Sequence, residues 1–285
     1  MHVVSVISTK GGVGKTTIAA SIGGFAADAG LRVLLLDIDT QPTLSSYFAL
    51  TKRAAGGAYE LLASNERRAE RVISHTAVAN LDVIVSNDSE RQLNTLLLNA
   101  ADGRLRLRHL LDVFRSDYDL MLIDTQGARS VLLEMAVLAS DLALSPVTPE
   151  ILAARELHRG TVQLLQDVAP FRYWGIQPPP LRLLINRVSA VSSNARMIEQ
   201  ALRSLYGPVG DICVLQTQLP ALEAYSRAAI LGSPVHRVER RKPHGRRAAA
   251  ALEAIRTLCV ELFPQWSGAF ARVSGTARDV ANVHG

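Results

Sequence analysis

The chain has 285 residues, of which 48% are apolar, and a formal net charge of +5. That length allows one large α/β domain with a substantial core, and that apolar content excludes a disordered chain. A spanning segment, a secretory signal and a disulfide framework are not expected either: no apolar run reaches the roughly 20 residues a bilayer needs, no basic stretch precedes the apolar start, and Cys213 and Cys259 are the only cysteines.

Residues 2–8 (HVVSVIS) form an apolar, β-branched run that predicts a strand. A glycine-rich loop follows, STKGGVGKTT (8–17), and then a stretch with helical spacing of Ile18, Ile22, Phe25 and Ala26 that Gly30 is placed to end. Strand, glycine loop and helix in that order predict a phosphate site. Backbone amides from Gly11, Gly12, Val13, Gly14, Lys15, Thr16 and Thr17 would wrap the phosphates at the helix N-terminus. Lys15 would neutralise the β- and γ-phosphates of a nucleotide, and the Thr16 hydroxyl would meet Mg²⁺. Two features are unusual. Thr9 stands where the standard loop has its first glycine, and Lys10 is a second lysine five residues ahead of Lys15.

Further strands are expected at 32–39, 81–87, 118–125, 141–147, 181–188 and 211–217, with helical stretches at 93–99, 130–139, 152–168, 195–205 and 246–262. Continuous apolar strands alternating with helices predict an α/β fold: a mainly parallel, twisted sheet covered by helices on both faces. Segment 50–80 is polar and alanine-rich and reads as short helices over the nucleotide side. The P-loop domain is expected to span 1–264, with 265–285 as a weakly structured tail. The run RVLLLDID ends in Asp37 and Asp39, two apart and so on one side of an extended strand. YDLMLIDTQG ends in Asp124, and Gly127 would let its amide approach a γ-phosphate closely. Gln126 is either a water contact or a turn residue.

The string K-G-G-V-G-K-T-T resembles the deviant Walker A motif of the ParA/MinD-type ATPases, closest to the Soj-like partition proteins. In that family the first lysine reaches the partner's phosphates across a nucleotide-sandwich homodimer, so the resemblance gives Lys10 an in-trans role. It also makes Asp39 the residue that orients the attacking water, with Asp37 in support and Thr40 where relatives carry proline. Asp124 resembles a Walker B aspartate, which gives Thr16, Asp39 and Asp124 as the magnesium set. Asn186, at the end of LRLLIN, matches a position that hydrogen-bonds the purine. SPVTPE (145–150) and LPALEAYSRAAILGSPV (219–235) resemble later signatures of the family, extending the likeness over about residues 2–262.

Relatives often carry basic residues just after the first proline of that late signature, where this chain has Ala221 and Ala224. Its charge lies in VHRVERRKPHGRR (235–247), with five arginines and one lysine against one glutamate. This run is either a solvated face or a DNA contact. Arg240, Arg241, Lys242, Arg246 and Arg247 are therefore DNA-binding candidates, with Arg196, Arg203 and Arg227 on nearby helices.

The resemblance implies a cytoplasmic, nucleoid-associated ATPase, slow and stimulated by a ParB-like centromere-binding partner, that dimerises on Mg-ATP, binds DNA non-specifically and drives partition. The chain starts at the loop strand, so an N-terminal operator-binding helix-turn-helix is not expected. The alternatives are a MinD-like membrane-recruited positioning ATPase, with Trp266, Phe270, Val273, Ala277 and Val280 on one helical face, and an accessory ATPase of conjugative transfer. Few basic residues, two glycines and Asp279 weigh against the membrane reading.

Overall fold

The computed structural model describes residues 1–150, 155–189, 193–207 and 210–273. Among them nine strands make one sheet: β1 (His2–Val6), β2 (Val33–Asp37), β3 (Leu50–Lys52), β4 (Ser74–Thr76), β5 (Leu81–Ile84), β6 (Leu120–Asp124), β7 (Leu142–Val147), β8 (Leu181–Val188) and β9 (Ile212–Pro220). Their order across the sheet is β3-β4-β5-β2-β6-β1-β7-β8-β9. From β5 to β9 every pairing is parallel, and β3 and β4 join the edge antiparallel. The sheet is thus mainly parallel, as the sequence predicts.

The central strands are apolar on both faces because both are covered. Leu35, Leu122 and Leu144 face a cluster with Ile18, Ile22 and Phe25 of helix Lys15–Asp28 and Ile255 and Leu258 of helix Ala251–Leu262. On the other side, Leu34, Leu36, Met121 and Ile123 pack with Leu61, Leu97, Leu110 and Met135 from helices 58–63, 92–99, 106–110 and 131–138. Residues alternate sides along each strand, so neighbours such as Leu34 and Leu35 belong to different cores.

Segment 50–80 departs from its reading. It holds two short helices, Ala58–Ala63 and Ala69–Val72, but also contributes β3 and β4, which widen the sheet. Strands of three residues at a polar edge are too short for a period-two signal. The last long helix starts at Ala251 rather than near 246, because Arg246 is engaged in a loop: it bonds both oxygens of Glu239 and the carbonyls of Ala248 and Ala249.

The expected tail boundary at 265 falls inside packed structure. Residues 267–272 form a helix whose Phe270 is fully buried beside Phe25, with ring centroids 5.6 Å apart. Val273 is buried as well, and Trp266 packs on Phe263. The stripe proposed to face lipid therefore faces the core at these positions, while Ala277 and Val280 lie outside the described residues. Among the described residues no helix is long and apolar enough to cross a membrane.

At the far end of helix Lys15–Asp28, Asp28 accepts 2.7 Å bonds from Arg237 Nε and His236 Nε2 and also pairs with Arg237 Nη2. Burial opposes its ionisation, yet the bonds from Arg237 and His236 win and hold the carboxyl at about 2. A depressed carboxyl stabilises the fold above its unfolded value near 4 and stops doing so as pH falls through about 2. Asp28→Asn is therefore expected to cost about 2 kcal/mol at pH 7 in urea denaturation. Its deficit against wild type should shrink between about pH 4 and pH 2. An equal deficit across that range would remove the ion pair as the cause.

Candidate nucleotide site

The strand register sets the site. Val6 of β1 and Asp37 of β2 both lie opposite Asp124 of β6, so the glycine loop and the two strand-end carboxylates converge at one edge of the sheet. That is where parallel α/β sheets place their ligands. In the loop, Gly12 and Gly14 have φ of +75° and +96°, a region that disfavours side chains. Gly14 caps the helix that starts at Lys15 and, having no side chain, leaves its first amides without a side-chain cap. Those amides and the positive end of the helix make a place suited to an anion.

Lys15 is only 7% exposed. Burial lowers its pKa, while Asp124 and Asp39 pull the other way. Asp124 is fully buried; one oxygen accepts a 2.6 Å bond from the Thr16 hydroxyl, and the other has no partner among the described residues. Burial pushes this carboxyl up to about 7, with Asp37 and Asp39 adding to the rise. A buried carboxylate with one unsatisfied oxygen beside a threonine hydroxyl fits a divalent cation. Among the described residues no cluster of three His, Cys, Asp or Glu could hold a metal alone, so magnesium here would need phosphate oxygens and water. Thr16 and Asp124 would hold it, and it would supply positive charge at the β- and γ-phosphates. Asp39, the third expected ligand, reaches both Lys15 and Asp124 electrostatically, and its Oδ1 accepts the Gln41 amide at 3.0 Å.

The two lysines of the loop have different surroundings. The Lys10 ammonium is partly exposed, 3.1 Å from Glu150 Oε2, three residues past β7. Gly127 comes close to the glycine loop: a Cβ on it would sit 2.8 Å from the Gly11 Cα. Thr9 has a matching partner in Gly160, on the π-helical turn Leu157–Val162. A Cβ there would fall 2.7 Å from Thr9 Cβ, so the missing side chain at 160 makes room for the threonine at 9.

Beside the loop opens a cavity of about 440 Å³, lined by residues including Gly14, Thr17, Asn186, Pro220, Leu222 and Tyr225. Its place next to the helix start suits a nucleoside. Asn186 is buried there, and its Nδ2 donates 2.8 Å to the Val13 carbonyl. The carboxamide thus braces the loop, leaving its oxygen as the group for a base edge. Arg187, with φ of +58°, lines the same cavity.

The DNA-binding candidates divide by their contacts. Arg246 is held by Glu239, and Arg203 by Glu199 at 2.9 Å. Arg240 is partly buried and has a partner. Arg241, Lys242 and Arg247 are exposed on the loop after helix Val235–Val238, and Arg196 and Arg227 are exposed on their helices. Glu239 closes that loop by also accepting the Ala251 amide at 3.0 Å.

Several participants carry no local sequence signal. Glu150 meets Lys10 across 140 residues, and Gly160 meets Thr9 across the fold. Residues 219–229 were readable as a signature but not as a cavity wall.

The AAA domain family matches residues 1–172. The chain is 32% identical over 167 residues to the sporulation initiation inhibitor protein Soj of Bacillus subtilis, covering 58% of this chain and 66% of Soj, just under two thirds of that relative's length. It is 28% identical over 239 residues to the chromosome partitioning protein ParA of Caulobacter vibrioides, covering 82% and 86%. Among solved structures, apo McdA of Cyanothece superposes with a TM-score of 0.73 at 18% identity, covering 96% of this chain and 98% of that one. A putative plasmid partition protein of Borrelia burgdorferi bound to AMPPNP gives 0.68 at 20% identity, covering 93% and 98%. These two likenesses concern the fold.

Proposed function

The chain belongs to the P-loop ATPases of the ParA/MinD type, and on that footing we propose that it is a partition ATPase that dimerises on Mg-ATP and binds DNA without sequence preference. One observation carries the reading. The loop holds two lysines of different kinds, Lys15 buried beside Asp39 and Asp124, and Lys10 outside the cradle on Glu150. A hydrolase working as a monomer has a use for the first but none for the second.

The loop amides and Lys15 bind the triphosphate of ATP, and the base enters the cavity beside Asn186. Asp39 orients the water that attacks the γ-phosphate, while the amide of Gly127 follows that phosphate. Lys10 leaves Glu150 and meets the partner subunit's ATP, so nucleotide closes the dimer. A centromere-binding partner of the ParB kind stimulates hydrolysis, which opens the dimer and releases DNA. The working place of such a cycle is the nucleoid of the cytoplasm. The inward packing of Phe270 and Val273 counts against the membrane alternative.

DNA contact is assigned to the exposed Arg241, Lys242 and Arg247, two sets per dimer. If all engage, about six phosphates are neutralised and the log–log salt slope is about −5. Fluorescence anisotropy on unrelated duplexes at several salt concentrations tests this. With ATP the triple alanine variant should show less than half the wild-type slope, with ATP-driven dimerisation unchanged. Equal slopes would move the DNA site off this loop, and no DNA binding by wild type with ATP would sink the partition reading.

A further inference from the structure

The segment after β2 contains a closed ring of hydrogen bonds. Asp37 is fully buried; its Oδ1 accepts the Asp39 amide at 3.0 Å, and its Oδ2 accepts both the amide and the hydroxyl of Ser45, at 2.8 and 2.7 Å. The Ser45 oxygen in turn accepts the Ser86 amide at 2.7 Å, and the Ser86 hydroxyl donates to the Asp39 carbonyl at 2.6 Å. Both backbone groups of Asp39 are therefore held: its N–H by Asp37 and its C=O by Ser86. Ser86 lies just past β5, the strand that pairs with β2.

This ring acts where the chain leaves the sheet, one residue beyond the last strand bond, from the Ile38 amide to the Asp124 carbonyl at 3.1 Å. Asp39 is followed by Thr40, which leaves φ free where a proline would fix it. Beyond it the chain is anchored by the buried Leu44 and Tyr47. Between those anchors and β2, the ring fixes the Asp39 backbone, and the Gln41 amide on Asp39 Oδ1 adds to the orientation of the carboxylate. Displacing a catalytic group by an ångström is enough to cost about 100-fold in rate.

We propose that Ser45 and Ser86 are positioning residues for hydrolysis, holding the Asp39 backbone, Ser45 through Asp37 and Ser86 at the Asp39 carbonyl, so that its carboxylate meets the attacking water. The inference rests on the reading that Asp39 orients that water. Neither serine touches the substrate. Their effect is therefore on kcat rather than on ATP binding.

The test uses the full chain with Mg-ATP, measuring steady-state ATPase, the thermal midpoint and ATP-dependent dimerisation. Ser86→Ala should lower kcat about tenfold with KM and dimerisation unchanged. Ser86→Thr, which keeps the hydroxyl, should stay within about twofold of wild type. In an Asp39→Ala background, Ser86→Ala should cause no further loss, because both changes act through one group. Ser45→Ala is the second variant, expected to match Ser86→Ala, should the latter prove unstable. If Asp39→Ala is inactive while Ser86→Ala and Ser45→Ala keep full kcat, the positioning role is wrong. Equal losses in the Thr and Ala variants would also overturn it, since the hydroxyl would then not matter. If Asp39→Ala itself hydrolyses normally, the failure lies in the role of Asp39.

Discussion

Lys15→Ala should weaken ATP binding about 100-fold or more in calorimetry, which amounts to abolishing it at micromolar protein. The buried ammonium is the in-cis counter-charge at a site that also holds Asp37, Asp39 and Asp124. Without it the triphosphate would enter a pocket dominated by carboxylates, whose repulsion in a poorly hydrated place is large. The loop amides alone cannot offset that. The fold should survive, because the lysine's own burial is unfavourable to its charge and its loss relieves that cost. An alanine variant that still binds ATP within a few-fold of wild type would remove Lys15 from the phosphate site.

The second large effect belongs to Asp39. Asp39→Ala should slow single-turnover hydrolysis by about 100-fold or more while ATP binding and dimerisation persist. The reason is the division of labour at the strand ends. Asp124 is fully buried and bonded to Thr16, a place suited to a cation, whereas Asp39 lies partly open beyond the end of β2. Asp124→Ala should by contrast weaken Mg²⁺-dependent nucleotide binding as well. Unimpaired cleavage by Asp39→Ala would take that residue out of the mechanism.

What the sequence disclosed follows from how local each signal is. The glycine loop between an apolar strand and a helix is contiguous, so its place was readable from spacing alone, and the helix starts at Lys15 directly after the glycines. Asp37 and Asp124 end apolar strands, and the parallel register sets them opposite each other. The edge strands β3 and β4 were missed because runs of three residues, LTK and SHT, hold no periodicity. The basic run 235–247 was legible as charge but not as contacts. Only the fold reveals that Arg237 is spent on Asp28 and Arg246 on Glu239. The same holds for Glu150 beside Lys10 and for Ser86 beside Asp39, each a meeting of distant segments that no local pattern encodes.

The central claim is that ATP joins two copies of this chain through Lys10. Sedimentation velocity with Mg²⁺ and a non-hydrolysable ATP analogue, comparing wild type with Lys10→Ala, tests it most directly. The account predicts a dimer for wild type and a monomer for the variant, which should still bind the nucleotide because Lys15 and the loop amides are intact. A Lys10→Ala protein that dimerises as wild type does, or a wild type that stays monomeric at saturating nucleotide, would contradict it.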